Sequence, residues 1–388
     1  MSEKVMLVLI GGRSAVPAIT GVLQFLNDVD KIKFLLCEGE QYLQYQKNVE
    51  TVIKQERQDL FYNNENDLKS VDPNNFDQVY LTVEKLCQDV VEIKYVNLTS
   101  VPQTMAISVY SYVQKKYKDI LVFSVNTDKS QIIPLVFGSQ TLPFNKRLTV
   151  ENYIAMYGFN IFKKNKKYEN NNNLEALLEY IVDHIEYSVQ ILSLIRRIAG
   201  EDIRPPKGVK ISEKELSKLE LSSEKLELFL KKLEEFKIIN NLQISSKNIN
   251  FKLETKENYA FLKGNWLEIF TYYSAKQCKF DSVEMGVELD NYRGEVDVFC
   301  VNNANAMICE CKTGQKLDSD DLSILNSKAE KLGGNYCIKL FITSECELDE
   351  KFVNQAKNNR IVLVSGNQLT DINKILTDEM QNPTYPRR

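Results

Sequence analysis

The sequence predicts an α/β chain of more than one domain, and three observations predict it. Short apolar runs alternate with helical patterns from the start to about residue 145. A second set of strands, differently spaced, follows Tyr259. Between them lies a helical, polar stretch punctuated by Pro205-Pro206-Lys207-Gly208. At 388 residues the chain has room for two or three domains.

In the first region, Val5–Ile10, Ile32–Cys37, Glu92–Leu98 and Ile120–Val125 read as buried parallel strands. Helical patterns at Ala15–Asn27, Gln41–Gln58, Phe76–Asp89 and Gln103–Lys116 separate them, giving a doubly wound domain. Such sheets bind ligands outside the carboxyl ends of their strands. Two loops lie there. Gly11, Gly12, Arg13 and Ser14 follow the first strand and open a helix, so they suit either a phosphate or a tight turn with a solvated arginine. They do not form G-x-G-x-x-G, so a dinucleotide fingerprint is absent. The second loop runs from Asn97 through Leu98, Thr99, Ser100, Val101, Pro102, Gln103 and Thr104 to Met105. Gln131 to Phe162 then reads as a hairpin and a short helix.

The middle region begins with Lys163-Lys164-Asn165-Lys166-Lys167 and Asn170 to Asn173, read as a linker or mobile loop with solvated lysines. Leu174 to Ala199 has the apolar spacing of one long helix, suited to bracing domains or a dimer interface. Ser212-Glu213-Lys214-Glu215 fits a capping box. Helices at 212–219 and 223–237 and strands at Asn241–Ser246 and Ile249–Glu254 follow in winged-helix order. The second helix mixes Lys225, Lys231, Lys232 and Lys237 with four glutamates, a poor composition for reading a duplex.

The last region carries the chemistry. Val296–Val301 and Ala306–Cys311 flank Asn302-Asn303-Ala304-Asn305 as a hairpin. Closing it with Val301 opposite Ala306 sets Asp297 against Glu310. Like charges directly opposed across strands destabilise a sheet unless a cation intervenes. A divalent cation, Mg²⁺ or Mn²⁺, suits these oxygen ligands. Lys312 shares a face with Glu310, where it could orient or deprotonate a water or neutralise a phosphate. Upstream, Gly264-Asn265-Trp266-Leu267-Glu268 starts a helix and supplies a third carboxylate, Glu268. Later, Ser319–Leu332 reads as a helix whose Lys328 or Lys331 could contact a substrate phosphate, with solvation the expected state. Cys337–Thr343 and Arg360–Val364 close the sheet, and Pro383 to Arg388 is a loose tail.

A helix acid, a strand acid and an E-x-K strand resemble the nuclease half of the CRISPR ancillary nucleases, in which a CRISPR-associated Rossmann-fold (CARF) sensor is fused to a PD-(D/E)XK domain. The Asn97–Met105 loop is similar to the family's N-[IL]-T-G-G-T-K-x-M sensor loop at Asn97, Leu98, Thr99 and Met105. It departs at Ser100-Val101, Pro102 and Gln103, which puts the ligand's ring size in question. The resemblance implies a CARF-like domain at 1–162, a winged-helix-like spacer at 163–258 and a PD-(D/E)XK domain at 259–388. It implies cyclic oligoadenylate held by Gly11, Gly12, Arg13, Ser14, Thr99, Ser100, Gln103, Thr104 and Met105 across a homodimer. It further implies cleavage of DNA, RNA or both, with Asp297 and Glu310 as metal ligands, Lys312 assisting the attacking water, and Glu268 supporting a second metal or that water.

Composition narrows the alternatives. A net charge of −4, from 49 basic and 53 acidic residues, gives no global attraction for nucleic acid. The one histidine, His184, sits inside a helical pattern and is expected to be structural, so histidine-based zinc, triad and ribonuclease chemistries lack their parts. Eight cysteines with no C-x-x-C pair point to reduced thiols in a cytoplasm. No apolar run reaches the roughly 18 residues of a membrane span, and Lys4–Ile10, short for a signal segment and without a small-residue cleavage site, is expected to be a buried first strand. Two other functions fit the same organisation: a ligand-responsive DNA-binding regulator, and a sensor that degrades its own cyclic nucleotide.

Overall fold

A computed structural model describes residues 3–60, 64–168, 174–200, 204–219, 221–245, 247–290, 294–314 and 317–385. The expectations for Asn170–Asn173 and for the last three residues lie outside these. The chain divides into two compact units, residues 1–161 with 301–305, and residues 162–300 with 306–388.

The first unit is a seven-stranded sheet. Its strands are β1 (Lys4–Ile10), β2 (Lys31–Cys37), β3 (Leu68–Val71), β4 (Glu92–Asn97), β5 (Leu121–Asn126), β6 (Gln131–Pro134) and β7 (Leu142–Pro143), in the order β3-β2-β1-β4-β5-β6-β7. The pairs from β3 to β5 are parallel, and β6 and β7 are antiparallel additions. From Val5 to Ile10, β1 is an unbroken apolar run because both faces of it are covered, as a parallel sheet requires. The strand order reverses at β1 and β4, so the loops after those two strands flank the topological switch point. Sequence reading missed β3, whose Leu-Lys-Ser-Val is too polar and short to announce a strand.

The second unit holds two sheets. In chain order its strands are β8 (Ile161–Lys163), β9 (Lys207–Ser212), β10 (Asn240–Ile244), β11 (Asn248–Leu253), β12 (Ser282–Leu289), β13 (Glu295–Asn302), β14 (Asn305–Lys312), β15 (Ile338–Thr343) and β16 (Val362–Val364). β10-β11-β9 form a small antiparallel sheet. The helix Ser223–Glu235 belongs with it, and Phe229, Leu230 and Leu233 join Val209, Ile211 and Phe251 in the core. The expected hairpin is present as β10–β11, with β9 as an unforeseen third strand, and the helix expected at 212–219 is reduced to Glu213–Leu216.

β16-β15-β14-β13-β12-β8 form the larger sheet, with β14, β15 and β16 parallel. The β13–β14 connection is a two-residue turn, Asn303-Ala304, both at positive φ, which matches the right-handed twist of the strands it joins. The helix Trp266–Gln277 contributes Trp266, Leu267, Ile269 and Phe270 to the core shared with the β13 and β14 side chains Val298, Cys300, Met307 and Cys309.

Three local expectations are corrected. The 174–199 helix is two helices, Glu175–Asp183 and Ile185–Ala199, broken at His184. The His184 ring lies over Tyr180 and its Nδ1 is 3.0 Å from the Tyr180 carbonyl, so it braces the break. The lysine run is not free linker: Lys163 pairs with Glu288 at 2.5 Å and Lys164 with Glu284 at 2.8 Å, both acids on β12. Ser212 starts a one-turn helix without capping it through its side chain. All eight cysteines are free thiols. No helix among the described residues is long and apolar enough to cross a membrane.

Candidate functional site

In the larger sheet, Asp297 comes from β13, Glu310 and Lys312 from β14, and Glu268 from the first turn of the helix Trp266–Gln277. The structure brings all four together. Asp297 Oδ2 accepts the Cys311 backbone N–H at 2.7 Å, which clips the end of β13 to β14 between Glu310 and Lys312. Lys312 Nζ lies 3.4 Å from Glu310 Oε1 and 3.5 Å from Asp321 Oδ1. Glu310 is buried, so its carboxylate needs compensation.

The carboxylates feel one another. Burial, followed by the charges of Glu310 and Glu268, pushes Asp297 well above the usual carboxylate range; the Cys311 N–H pulls the other way. Burial, then Glu295 and Glu310, raises Glu268 to about 7. Glu295 is itself raised by desolvation and by Glu288. Burial lowers the Lys312 ammonium, but Glu310, Asp321 and Asp297 together outweigh it and the net shift is upward. A lysine so held remains protonated at neutral pH, which favours a charge-neutralising or water-orienting role over that of a base.

Among the described residues, no group of three or more His, Cys, Asp or Glu side chains could hold a metal ion. Asp297 and Glu310 are the pair expected to act as metal ligands, with Glu268 beside them. That pair fits Mg²⁺ or Mn²⁺, because Mg²⁺ commonly binds through one or two carboxylates and keeps several waters. Burial raises Asp297 most and the charges of Glu310 and Glu268 add to it; that added negative charge is what such a cation would relieve.

Two supporting residues carried no sequence signal. Lys328, in the helix Ser319–Gly333, is buried and donates to Glu310 Oε2 at 2.6 Å, against the expectation that it is solvated; Lys331 is exposed. Arg196, in the helix Ile185–Ala199, donates to the carbonyls of Thr313 at 3.2 Å and Lys263 at 3.5 Å. It thereby ties down the segments just after Lys312 and just before Glu268. Gly264 has φ +151, and a Cβ there would overlap Thr313 Oγ1. The glycine thus permits the helix bearing Glu268 to approach the strand bearing Lys312. The apolar spacing of the first helix and the Gly-Asn-Trp entry of the second were visible in sequence, but their convergence was not.

In the first unit, the loops after β1 and β4 meet. A Cβ at Gly12 would overlap the Ser100 carbonyl oxygen, and one at Gly11 would overlap Cys37 Sγ. Ser100 takes positive φ to make the turn. Beneath it, buried Asn97 donates to the Ala18 carbonyl at 2.8 Å and accepts from the Thr99 N–H at 3.1 Å. Thr99 Oγ1 in turn accepts the Val125 N–H. Arg13, Ser100 and Gln103 are exposed; Gly12, Ser14 and Thr104 are half-buried; Gly11, Thr99 and Met105 are buried. Met105 packs its sulfur 3.6 Å from Cys37 Sγ. Thr99 and Met105 therefore shape the loop from below, while Arg13, Ser100, Gln103 and Thr104 remain for contact.

The fold defines a class: an α/β protein with a Rossmann-like amino-terminal domain and a second sheet in its last third that gathers Glu268, Asp297, Glu310 and Lys312. Residues 255–382 match the family model described as the Card1-like endonuclease domain, and that region is an endonuclease domain. The whole chain is similar in fold to protein VC1899 from Vibrio cholerae, with TM-score 0.78, 18% identity and 97% of each chain covered. It is also similar to Can2 from Sulfobacillus thermosulfidooxidans, solved in complex with cyclic tetra-adenylate, with TM-score 0.70, 16% identity and 98% of each chain covered. A type III CRISPR defence DNA nuclease activated by cyclic oligoadenylate matches over 88% of this chain and 45% of its own, with TM-score 0.51 and 15% identity. No curated protein matches the sequence.

Proposed function

We propose that this chain is a divalent-metal-dependent nuclease of type III CRISPR antiviral defence, cutting DNA, RNA or both, and switched on by a cyclic oligoadenylate. The observation that carries the reading is the convergence of Asp297, Glu310, Lys312 and Glu268 inside a region that matches an endonuclease family. The switch is supported by the two loops that meet at the β1–β4 reversal, and by the likeness to Can2 solved with cyclic tetra-adenylate.

On this reading residues 1–162 sense the ligand, 163–258 are a spacer and 259–388 cut. Two copies face each other so that Gly11–Ser14 and Thr99–Met105 of both surround a ring-shaped ligand. Eight free thiols suit a reducing cytoplasm. Asp297 and Glu310 hold Mg²⁺ or Mn²⁺. When bound, such a cation supplies Lewis-acid polarisation of the scissile phosphate and a more acidic water. Lys312, kept protonated by its acidic neighbours, neutralises charge building on the phosphate oxygens. Glu268, raised to about 7, can take a proton from the attacking water near neutral pH.

The test is cleavage of labelled single- and double-stranded DNA and RNA with Mn²⁺, with and without cyclic tetra- and hexa-adenylate. Cleavage stimulated by one ring and stopped by chelation supports the proposal. Tight duplex binding without cutting, or loss of ligand with no cut nucleic acid, contradicts it. An analytical ultracentrifugation run on the same sample is expected to give a dimer.

A further inference from the structure

In the helix Ser319–Gly333 the buried positions are Leu322, Leu325, Lys328, Ala329 and Leu332. Lys328 is the charged member of that inward stripe, and it is only 5% exposed. An ammonium at a core position is costly unless it is paired. Its partner is Glu310, also 5% exposed, whose Oε2 receives the Lys328 Nζ–H at 2.6 Å. The other oxygen of Glu310 faces Lys312 at 3.4 Å. Both oxygens of the buried glutamate are thus already engaged by ammonium groups. Lys312 is half-exposed and shared with Asp321. Lys328, by contrast, is short-range, enclosed and held by the packing of its helix.

We propose that Lys328 is a positioning residue that holds Glu310 as a stand-in for cation charge, so that Lys328 and a divalent cation compete for the same carboxylate. The inference rests on the reading of Glu310 as a cation ligand. Its physical basis is that a fixed positive charge in bonding contact with a ligand repels an incoming dication and occupies one of that ligand's oxygens. The folded, metal-free protein gains a compensated glutamate, and cation affinity is correspondingly reduced. A weakly held cation would make the nuclease depend on whatever else, substrate phosphate included, helps retain the metal.

The experiment is calorimetric titration of Mn²⁺ alone into the full chain, without nucleic acid, for wild type, K328M, K328Q, K328R and E310Q. Thermal melts establish folding, and K328Q serves if K328M does not fold. The neutral variants are expected to bind Mn²⁺ about tenfold more tightly than wild type. K328R, whose guanidinium can grip both oxygens of a carboxylate, is expected to bind it no more tightly than wild type. A purely structural lysine would give weaker or unchanged binding in the neutral variants, and that result overturns the proposal. If E310Q leaves wild-type affinity intact, the reading of Glu310 as a ligand fails, and this inference with it. If E310Q weakens binding but K328M and K328Q do not tighten it, this inference alone fails.

Discussion

Around Asp297 and Glu310, acids crowd Lys312 and Lys328, and burial together with neighbouring charge raises Asp297, Glu268 and Glu295. At the Gly12–Ser100 crossing Arg13 is exposed, and the contacts are made by backbone, small polar groups and a buried asparagine hub. One region is under electrostatic stress that a cation can relieve. The other is shaped by steric fit and satisfied hydrogen bonds. The first should respond to pH, salt and metal, and the second to volume and to the loss of single hydrogen bonds.

The largest expected effect is chemical. D297N leaves an acceptor for the Cys311 N–H but removes the charge, and cleavage should fall by about a thousandfold or more. Gel-based rates at saturating Mn²⁺ check it, and retention of near-wild-type rates would remove Asp297 from the site. Next is G264A. The positive φ and the Thr313 overlap predict a loss of about 2–4 kcal/mol in stability by urea denaturation. A neutral outcome would mean that the approach of the Glu268 helix to Lys312 is adjustable.

In the first unit, N97A leaves the Ala18 carbonyl and the Thr99 N–H without their buried partner. It should cost about 2–3 kcal/mol, with little dependence on pH between 5 and 8. A strong pH dependence of that loss would blur the contrast between the regions.

The smallest effect is the most diagnostic of charge stress. Glu268 has its folded pKa raised from the ordinary 4.5 to about 7, so the folded state binds more protons than the unfolded state between those values. Metal-free stability should therefore fall as pH rises from about 4.5 to 7 through this group. E268Q removes that penalty and should raise the melting temperature by about 1–3 °C at pH 8, with the gain shrinking toward pH 4.5. A gain independent of pH would point to packing instead.

How much of this was legible in sequence follows from the same contrast. The α/β alternation, the Asn303-Ala304 turn and the Asp297–Glu310–Lys312 pattern were readable because alternation and like charges on facing strands are local properties. Glu268 was readable from its place at a helix start. Lys328 was not, because a lysine on a helix is ordinarily solvated, and only packing of that helix turns it inward. Strands β3 and β12 hid behind polar and acidic residues, and the break at His184 has neither glycine nor proline to mark it. The departures of the Asn97–Met105 loop from the pattern it resembles could be seen, but not that Ser100 and Gly12 would meet through backbone contact.

One measurement bears on the whole account: the rate of nucleic-acid cleavage by wild type and E310Q with Mn²⁺, titrated with cyclic tetra-adenylate. The account predicts a rate that climbs with the cyclic nucleotide in wild type and stays at background in E310Q. Cleavage that ignores the cyclic nucleotide, or that persists in E310Q, would contradict it.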